Sequence, residues 1–268
     1  MTWAGGSFGS VAQCVLAPNA SPMTLDGTNT WVLRDPGSSR SIVVDPGPPD
    51  AAHLDAVAAA AGDVAVVLLT HRHLDHSEAA RSFAARVGCG VRALDPSYRL
   101  GSEGLAEGDV VVVGDLEVRV VATPGHSSDS LSFVVGSERA VLTGDTVLGR
   151  GTTVVAHPDG ELGAYFGSLD RLRALAEAHE IDTIWPGHGP VLDGALTVLD
   201  HYLAHRRERL QQVREALRRL HAESRSGVPL DHEALPRRIV ELVYADVDPS
   251  LWPAAELSVR AQLAYLSR

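Results

Sequence analysis

Residues 70–76 read Thr-His-Arg-His-Leu-Asp-His, which places three histidines and one aspartate within six positions. Imidazole nitrogens and carboxylate oxygens are the donors that zinc and similar divalent metals accept. The preceding run, 64–69, is apolar and rich in valine and leucine, which predicts a buried strand. The donors therefore stand at a strand exit, where α/β folds place their chemistry. In an extended segment His71 and His73 point to one side, and Asp75 and His76 turn as the next helix starts. That arrangement serves two adjacent metals with two donors each. A polar helix start capped by Asp75 uses similar residue types, but it does not need three histidines.

Four donors do not complete two metal sites. The strand-then-loop pattern recurs three times and supplies three more. Thr123-Pro124-Gly125-His126 follows the apolar run 118–121, Thr143-Gly144-Asp145 follows 140–142, and Trp185-Pro186-Gly187-His188 follows 181–184. Each places one His or Asp beside a Gly or Pro that lets the backbone turn sharply.

These donors need a scaffold of strands. Short β-branched runs at 31–33, 41–44, 64–69, 110–113, 118–121 and 131–135 are bounded by Gly, Pro or Asp and predict strands. Alanine-rich stretches at 51–61 and 77–87, and the stretch 162–178, have helical spacing and length. The class is therefore α/β or α+β, with sheets covered by helices. From about residue 194 the texture changes. An arginine-rich helix is predicted over 195–220, with further helices over 230–244 and 253–266 and a loop at 224–229. The expected division is a domain over 1–195 and a small helical domain over 196–268.

Composition narrows the function classes. The chain has 268 residues, 45% of them hydrophobic, enough for a substantial core. All 23 basic residues are arginine, so no lysine is present to act as Schiff-base nucleophile or phosphate anchor. The net charge of −11 is concentrated before residue 200 and argues against nonspecific nucleic-acid binding. Two cysteines, Cys14 and Cys89, make no disulfide framework and no metal-type pair, which favours a reducing compartment. The first ten residues lack the charged and apolar regions of a secretion signal, and no run has the apolar length of a membrane span. The expectation is a soluble, cytoplasmic protein that needs no membrane and no obligatory protein partner.

In order, His-x-His-x-Asp-His, Gly-His, Gly-Asp and a further Gly-His resemble the pattern of the metallo-beta-lactamase superfamily, and all seven positions are filled. The resemblance implies an αββα sandwich over about residues 10–195. It implies that His71, His73 and His126 bind one metal, that Asp75, His76 and His188 bind a second, and that Asp145 bridges them. Asp45, in Val43-Val44-Asp45-Pro46-Gly47, matches a family aspartate that supports the ligands from behind, although a strand-end turn residue would look the same. Residues 24–33, the Leu-Gly-Arg-Gly-Thr-Thr run at 148–153 and His201 to Arg206 resemble more closely the group named after beta-lactamase-like protein 2. That closer match implies a winged-helix-like C-terminal domain.

The resemblance further implies a hydrolase with two divalent metals, most simply zinc, with manganese or iron as alternatives. Such a pair lowers the pKa of a water between them to give a bridging hydroxide. Asp75 is placed to accept a hydrogen bond from that hydroxide and orient it. The bond cleaved stays open. The group implies phosphodiester hydrolysis of single-stranded RNA, since its animal member is described as an endoribonuclease, and this is the leading expectation. The alternative is a thioesterase or esterase acting on a small-molecule or carrier-bound acyl thioester, as in fungal relatives that release polyketides. The helix arginines Arg206, Arg207, Arg209, Arg214, Arg218 and Arg219 would suit RNA. Interspersed Glu208 and Glu215 instead favour a solvated face, and four phenylalanines are few for stacking bases.

A glyoxalase II-like activity is weakened by the missing lysines. A persulfide dioxygenase-like protein fits the motif, whereas flavodiiron proteins carry an acidic residue where His73 stands. His157, Tyr165 and Ser168, beyond the 149–153 loop, are candidate substrate contacts. The other histidines, His53, His179, His201, His205, His221 and His232, are expected in surface or packing roles.

Overall fold

The structure, a computed structural model, describes residues 2–225, 231 and 233–268. Its strands form two six-stranded sheets. The first runs in sequence order: β1 (Gly6–Phe8), β2 (Ala12–Leu16), β3 (Asn29–Leu33), β4 (Arg40–Val44), β5 (Asp63–Leu68) and β6 (Gly90–Arg92). The second runs in reverse, from β12 (Leu192–Asp193) through β11 (Thr183–Pro186), β10 (Ala140–Gly144), β9 (Leu131–Val135) and β8 (Leu116–Ala122) to β7 (Val110–Val113). Pairs β4–β5, β5–β6 and β10–β11 are parallel and the others antiparallel.

Alternation along each strand sorts side chains between layers. Leu33, Ile42, Val44 and Leu68 of the first sheet meet Phe133, Val135, Leu142 and Trp185 of the second in a shared core. Trp31 and Trp185 stack there, with ring centroids 5.3 Å apart. On the opposite face of the first sheet, Val32, Val43 and Val67 pack against α1 (Ala51–Ala61) and α3 (Ala80–Val87). The outer face of the second sheet carries α4 (Leu162–Glu177) and the first half of α5 (Ala195–Arg225), through Tyr165, Leu169, Leu199 and Leu203. The result is the expected helix–sheet–sheet–helix order.

The C-terminal helices α6 (Leu235–Val243) and α7 (Trp252–Leu266) pack on the second half of α5 around Val213, Leu220, Ile239 and Val259. Helix α5 thus contributes to both cores, because its first half completes the outer layer of the sandwich and its second half carries α6 and α7. Among the described residues no helix is long and apolar enough to cross a membrane.

Three local readings change. The helix expected over 77–87 is two pieces, α2 (Leu74–Ser77) and α3, because the Ala79 N–H turns aside to the Gly47 carbonyl at 3.2 Å. The loop expected at 224–229 begins later, since α5 runs to Arg225. Residues 226–229 of that loop, and Leu230 and His232 at the start of the helix expected over 230–244, lie outside the described residues, and that helix is the shorter α6, Leu235–Val243.

Candidate metal centre

All the sequence-predicted donors emerge from the same rim. Parallel pairs put strand C-termini side by side, so the exits of β4 and β5 meet those of β10 and β11 across the sandwich. His71 and His73 follow β5, Asp75 and His76 lie on α2, His126 follows β8, Asp145 follows β10 and His188 follows β11.

The side chains converge. His73 Nδ1 stands 3.0 Å from His71 Nε2 and 2.9 Å from His126 Nε2. A second cluster brings His76 Nε2 and His188 Nε2 to 3.2 Å, with Asp75 Oδ2 at 3.4 Å and 3.1 Å from them. Asp145 lies between the clusters. Its Oδ1 is 3.4 Å from both His76 Nε2 and His188 Nε2, and its Oδ2 is 3.6 Å from His126 Nε2. Donor atoms within each of the sets His71–His73–His126, His71–His76–Asp145 and Asp75–His76–His188 lie within 4.8 Å of one another.

Whether cations fit is decided by the far side of each ring. His126 Nδ1 donates to the Val154 carbonyl at 2.8 Å, and His188 Nδ1 donates to the Gly27 carbonyl at 3.1 Å. His76 Nδ1 donates to Asp45 Oδ2 at 2.8 Å. The Thr70 hydroxyl donates to the same Asp45 oxygen at 2.6 Å, which leaves it to accept from His71 Nδ1 at 3.0 Å. A carbonyl or carboxylate behind Nδ1 holds the proton there and leaves an Nε2 lone pair facing inward. Several inward lone pairs at such distances suit a cation between them. Asp145 Oδ1 is buried and has no hydrogen-bond partner among the described residues. These donor sets fit two divalent ions.

The electrostatics split the same way. Burial holds His71 well below the usual imidazole range and His126 down at about 4, although Asp145 opposes both. Burial also works against charge on His76 and His188. It is outweighed by Asp75, Asp145 and Asp45 at His76, which is raised well above its usual value, and chiefly by Asp145 at His188, raised to about 9. Burial of Asp75 is in turn outweighed by His76 and His188, and its carboxyl is lowered to about 2. Without cations, protons on the His76 and His188 pair supply the positive charge that Asp75 and Asp145 require.

Close approach explains one glycine. A Cβ at Gly187 would come 2.7 Å from Asp145 Oδ1 and 2.8 Å from His76 Cε1.

A cleft of about 550 Å³ opens beside His126 and Asp145. One wall carries Met23, Leu25 and Leu148. The C-terminal part of the chain adds His201, His205, Arg206, Arg209, Tyr244 and Leu251 to the lining. The proposed contacts His157, Tyr165 and Ser168 do not line this cleft. Tyr165 is fully buried and its hydroxyl donates to the Thr146 carbonyl at 2.7 Å, while the Ser168 hydroxyl donates to the Pro124 carbonyl at 2.6 Å. His157 is exposed on a separate depression beside Ala261 and Arg268. Helix α4 turns Tyr165 and Ser168 toward the second sheet, where they brace the loops that carry Asp145 and His126 from behind and leave the cleft to other residues.

Conversely, His201, His205, Arg206 and Arg209, expected at a surface or in packing, form part of the cleft. The spacing of 201, 205 and 209 along one helix was the available signal. Arg207, Arg214, Arg218 and Arg219 are exposed, as the mixed charges implied. His53 is buried behind the Asp45 loop, its Nε2 3.0 Å from Thr30 Oγ1.

Two mixed sheets flanked by helices, with His/Asp clusters suited to two metal ions at one rim, define a metal-dependent hydrolase. The chain belongs to the metallo-beta-lactamase superfamily, whose family model matches residues 23–188, and residues 236–268 match the beta-lactamase associated winged helix domain. It is 31% identical to the atrochrysone carboxyl ACP thioesterase of Aspergillus fumigatus, over 86% of this chain and 72% of that protein. It is also 31% identical to a beta-lactamase-like protein 2 homolog of Caenorhabditis elegans, over 95% of this chain and 83% of that one. The fold is shared with a metallo-beta-lactamase family protein of Thermus thermophilus, with a TM-score of 0.75 at 20% identity, covering 96% of this chain and 93% of that chain.

Proposed function

We propose that this chain is a two-metal hydrolase that cleaves a small-molecule or carrier-bound acyl thioester. The observation that carries this reading is the cleft, whose apolar wall of Met23, Leu25 and Leu148 adjoins His126 and Asp145. Such a wall suits an acyl chain whose carbonyl reaches the metal centre. The similarity to a fungal thioesterase supports the same reading.

The residues divide the work. His71, His73 and His126 would hold one ion, Asp75, His76 and His188 the other, and Asp145 both. Bound there, two divalent cations activate water and polarise the scissile carbonyl. Asp75 is the more exposed of the two site carboxylates, at 29% against 11% for Asp145, and its oxygen orients the attacking water by accepting a hydrogen bond. Asp45 keeps His71 and His76 in the required tautomer. Zinc suits this set of five imidazoles and two carboxylates. Both cysteines are free, as a reducing cytoplasm would keep them.

A second reading, hydrolysis of single-stranded RNA, is favoured by Arg206 and Arg209 in the cleft wall. Tyr244 is the aromatic side chain there, and the Arg209 guanidinium already covers its ring at 4.5 Å, which leaves little for bases to stack on. Metal-replete protein should be assayed on acyl thioesters of pantetheine and of a carrier protein, beside single-stranded RNA. Thioester turnover with RNA left intact is expected. RNA cleavage with thioesters untouched would overturn the thioesterase reading.

A further inference from the structure

The segment 153–155 touches a candidate metal ligand on one side and the C-terminal helices on the other. His126 Nδ1 meets the Val154 carbonyl at 2.8 Å and the Thr153 hydroxyl at 3.0 Å. The Thr153 carbonyl in turn accepts from the Arg206 guanidinium of α5. The Val155 N–H donates to the Ser258 hydroxyl of α7 at 3.3 Å. Two residues on, the His157 N–H donates to the Leu257 carbonyl at 3.4 Å.

Arg206 is an unusual anchor. It is 7% exposed and, among the described residues, its Nε has no hydrogen-bond partner and no carboxylate pairs with it. Its guanidinium lies 5.0 Å from the centroid of the Tyr165 ring, and the Tyr165 hydroxyl donates to the carbonyl of Thr146, the neighbour of Asp145. Burying a guanidinium without a carboxylate is unfavourable. Its contacts are instead with the Thr153 carbonyl, in the segment that backs His126, and with the Tyr165 ring. The second cluster is braced differently, since His76 leans on Asp45 and His188 on Gly27, both within the sandwich.

We propose that Arg206, assisted by Ser258, is a positioning residue for His126, so that the C-terminal helices set how tightly the His71–His73–His126 cluster retains its cation. The inference rests on the two-metal reading above. Residues that orient a ligand from behind change metal affinity about 10–100-fold when removed. The effect should fall on one ion of the two.

The test is calorimetric titration of the metal-stripped full chain with zinc, using a competing chelator to resolve the two steps. Arg206→Met should weaken one ion about 10–100-fold and leave the other at its parent affinity. Arg206→Lys should recover part of the loss, and Ser258→Ala should show a smaller loss at the same step. If Arg206→Met does not fold, Ser258→Ala carries the test alone. In a His126→Ala background, Arg206→Met should add nothing, since the two act through one contact. Parent affinity at both steps with only KM raised would overturn the proposal and make Arg206 a substrate contact. Equal weakening of both ions would overturn it as well. A parent chain that takes up fewer than two ions would instead refute the two-metal reading on which the proposal stands.

Discussion

Asp45 and His76 share a hydrogen bond of 2.8 Å between carboxylate Oδ2 and imidazole Nδ1, and both side chains are buried. The same oxygen takes the Thr70 hydroxyl, which backs His71. One carboxylate thus orients a donor in each cluster. The backbone of Asp45 has φ of +50°, a conformation that aspartate and asparagine tolerate better than most residues. Replacing Asp45 with Asn keeps shape and backbone but puts an amide where a full acceptor is needed. Metal affinity is expected to fall about 10–100-fold with the fold intact, read by chelator competition and circular dichroism. Unchanged affinity would remove Asp45 from the site.

Asp145 faces His126 with one oxygen and His76 and His188 with the other. Asp145→Ala should therefore reduce occupancy at both positions, whereas His126→Ala should spare one. Native mass spectrometry counts the ions directly, and full occupancy in Asp145→Ala would refute its bridging place.

Gly187 leaves no room for a methyl group beside Asp145 and His76. Gly187→Ala is expected to lose hydrolysis almost entirely while keeping its secondary structure, because the clash falls on the donors rather than on the core. Parent-level turnover in this variant would mean that the second cluster is not used.

Protons compete with metal at His188. Its pKa is raised to about 9 in the metal-free protein, against 6.5 ordinarily, so at pH 7 the ring carries a proton that a cation must displace. Metal uptake should release protons. Its affinity should weaken as pH falls below about 9, by up to about tenfold per pH unit for this one proton. The sign for stability is opposite. In the metal-free chain the raised pKa stabilises the fold fully below pH 6.5 and is lost as pH rises through about 9. Titrations in buffers of different ionisation enthalpy read the proton count, and zero release at pH 7 would contradict a protonated His188.

Tyr202 of α5 takes the Leu148 N–H at 2.9 Å, with the Leu148 and Gly151 carbonyls each 3.1 Å from its hydroxyl. Tyr202→Phe strands the buried Leu148 groups, at about 1–3 kcal/mol. It should also raise KM, because Leu148 and Gly151 line the cleft. Thermal unfolding and steady-state kinetics measure the two effects, and an unaltered melting temperature would deny the hydroxyl a structural part.

The donor set was legible because its signal is local. His71, His73, Asp75 and His76 lie within one strand exit, and His126, Asp145 and His188 each follow an apolar run and a glycine. Valine-rich strands such as β7 and β8 declare themselves by composition. Strands β1 and β12 do not, because three and two residues carry too little pattern and exist only by pairing with β2 and β11. Tyr165 and Ser168 follow the metal loops in sequence, yet α4 seats them behind those loops and outside the cleft, and nearness along a chain says nothing of which side of a loop a helix residue meets.

By itself the sequence determined the chemistry available: seven donors of the right type, each set at a strand end, in a chain of α/β or α+β class whose αββα order only the family resemblance implied. What only the tertiary structure decided is which groups surround them. Asp45 reaches His76 across 31 positions, and His205 and Arg206 join the cleft wall from a helix more than fifty residues past Asp145. Those relations depend on how parallel strands align their exits and how α5 lies across the second sheet. Such packing is set by the whole core, and no local stretch of residues encodes it.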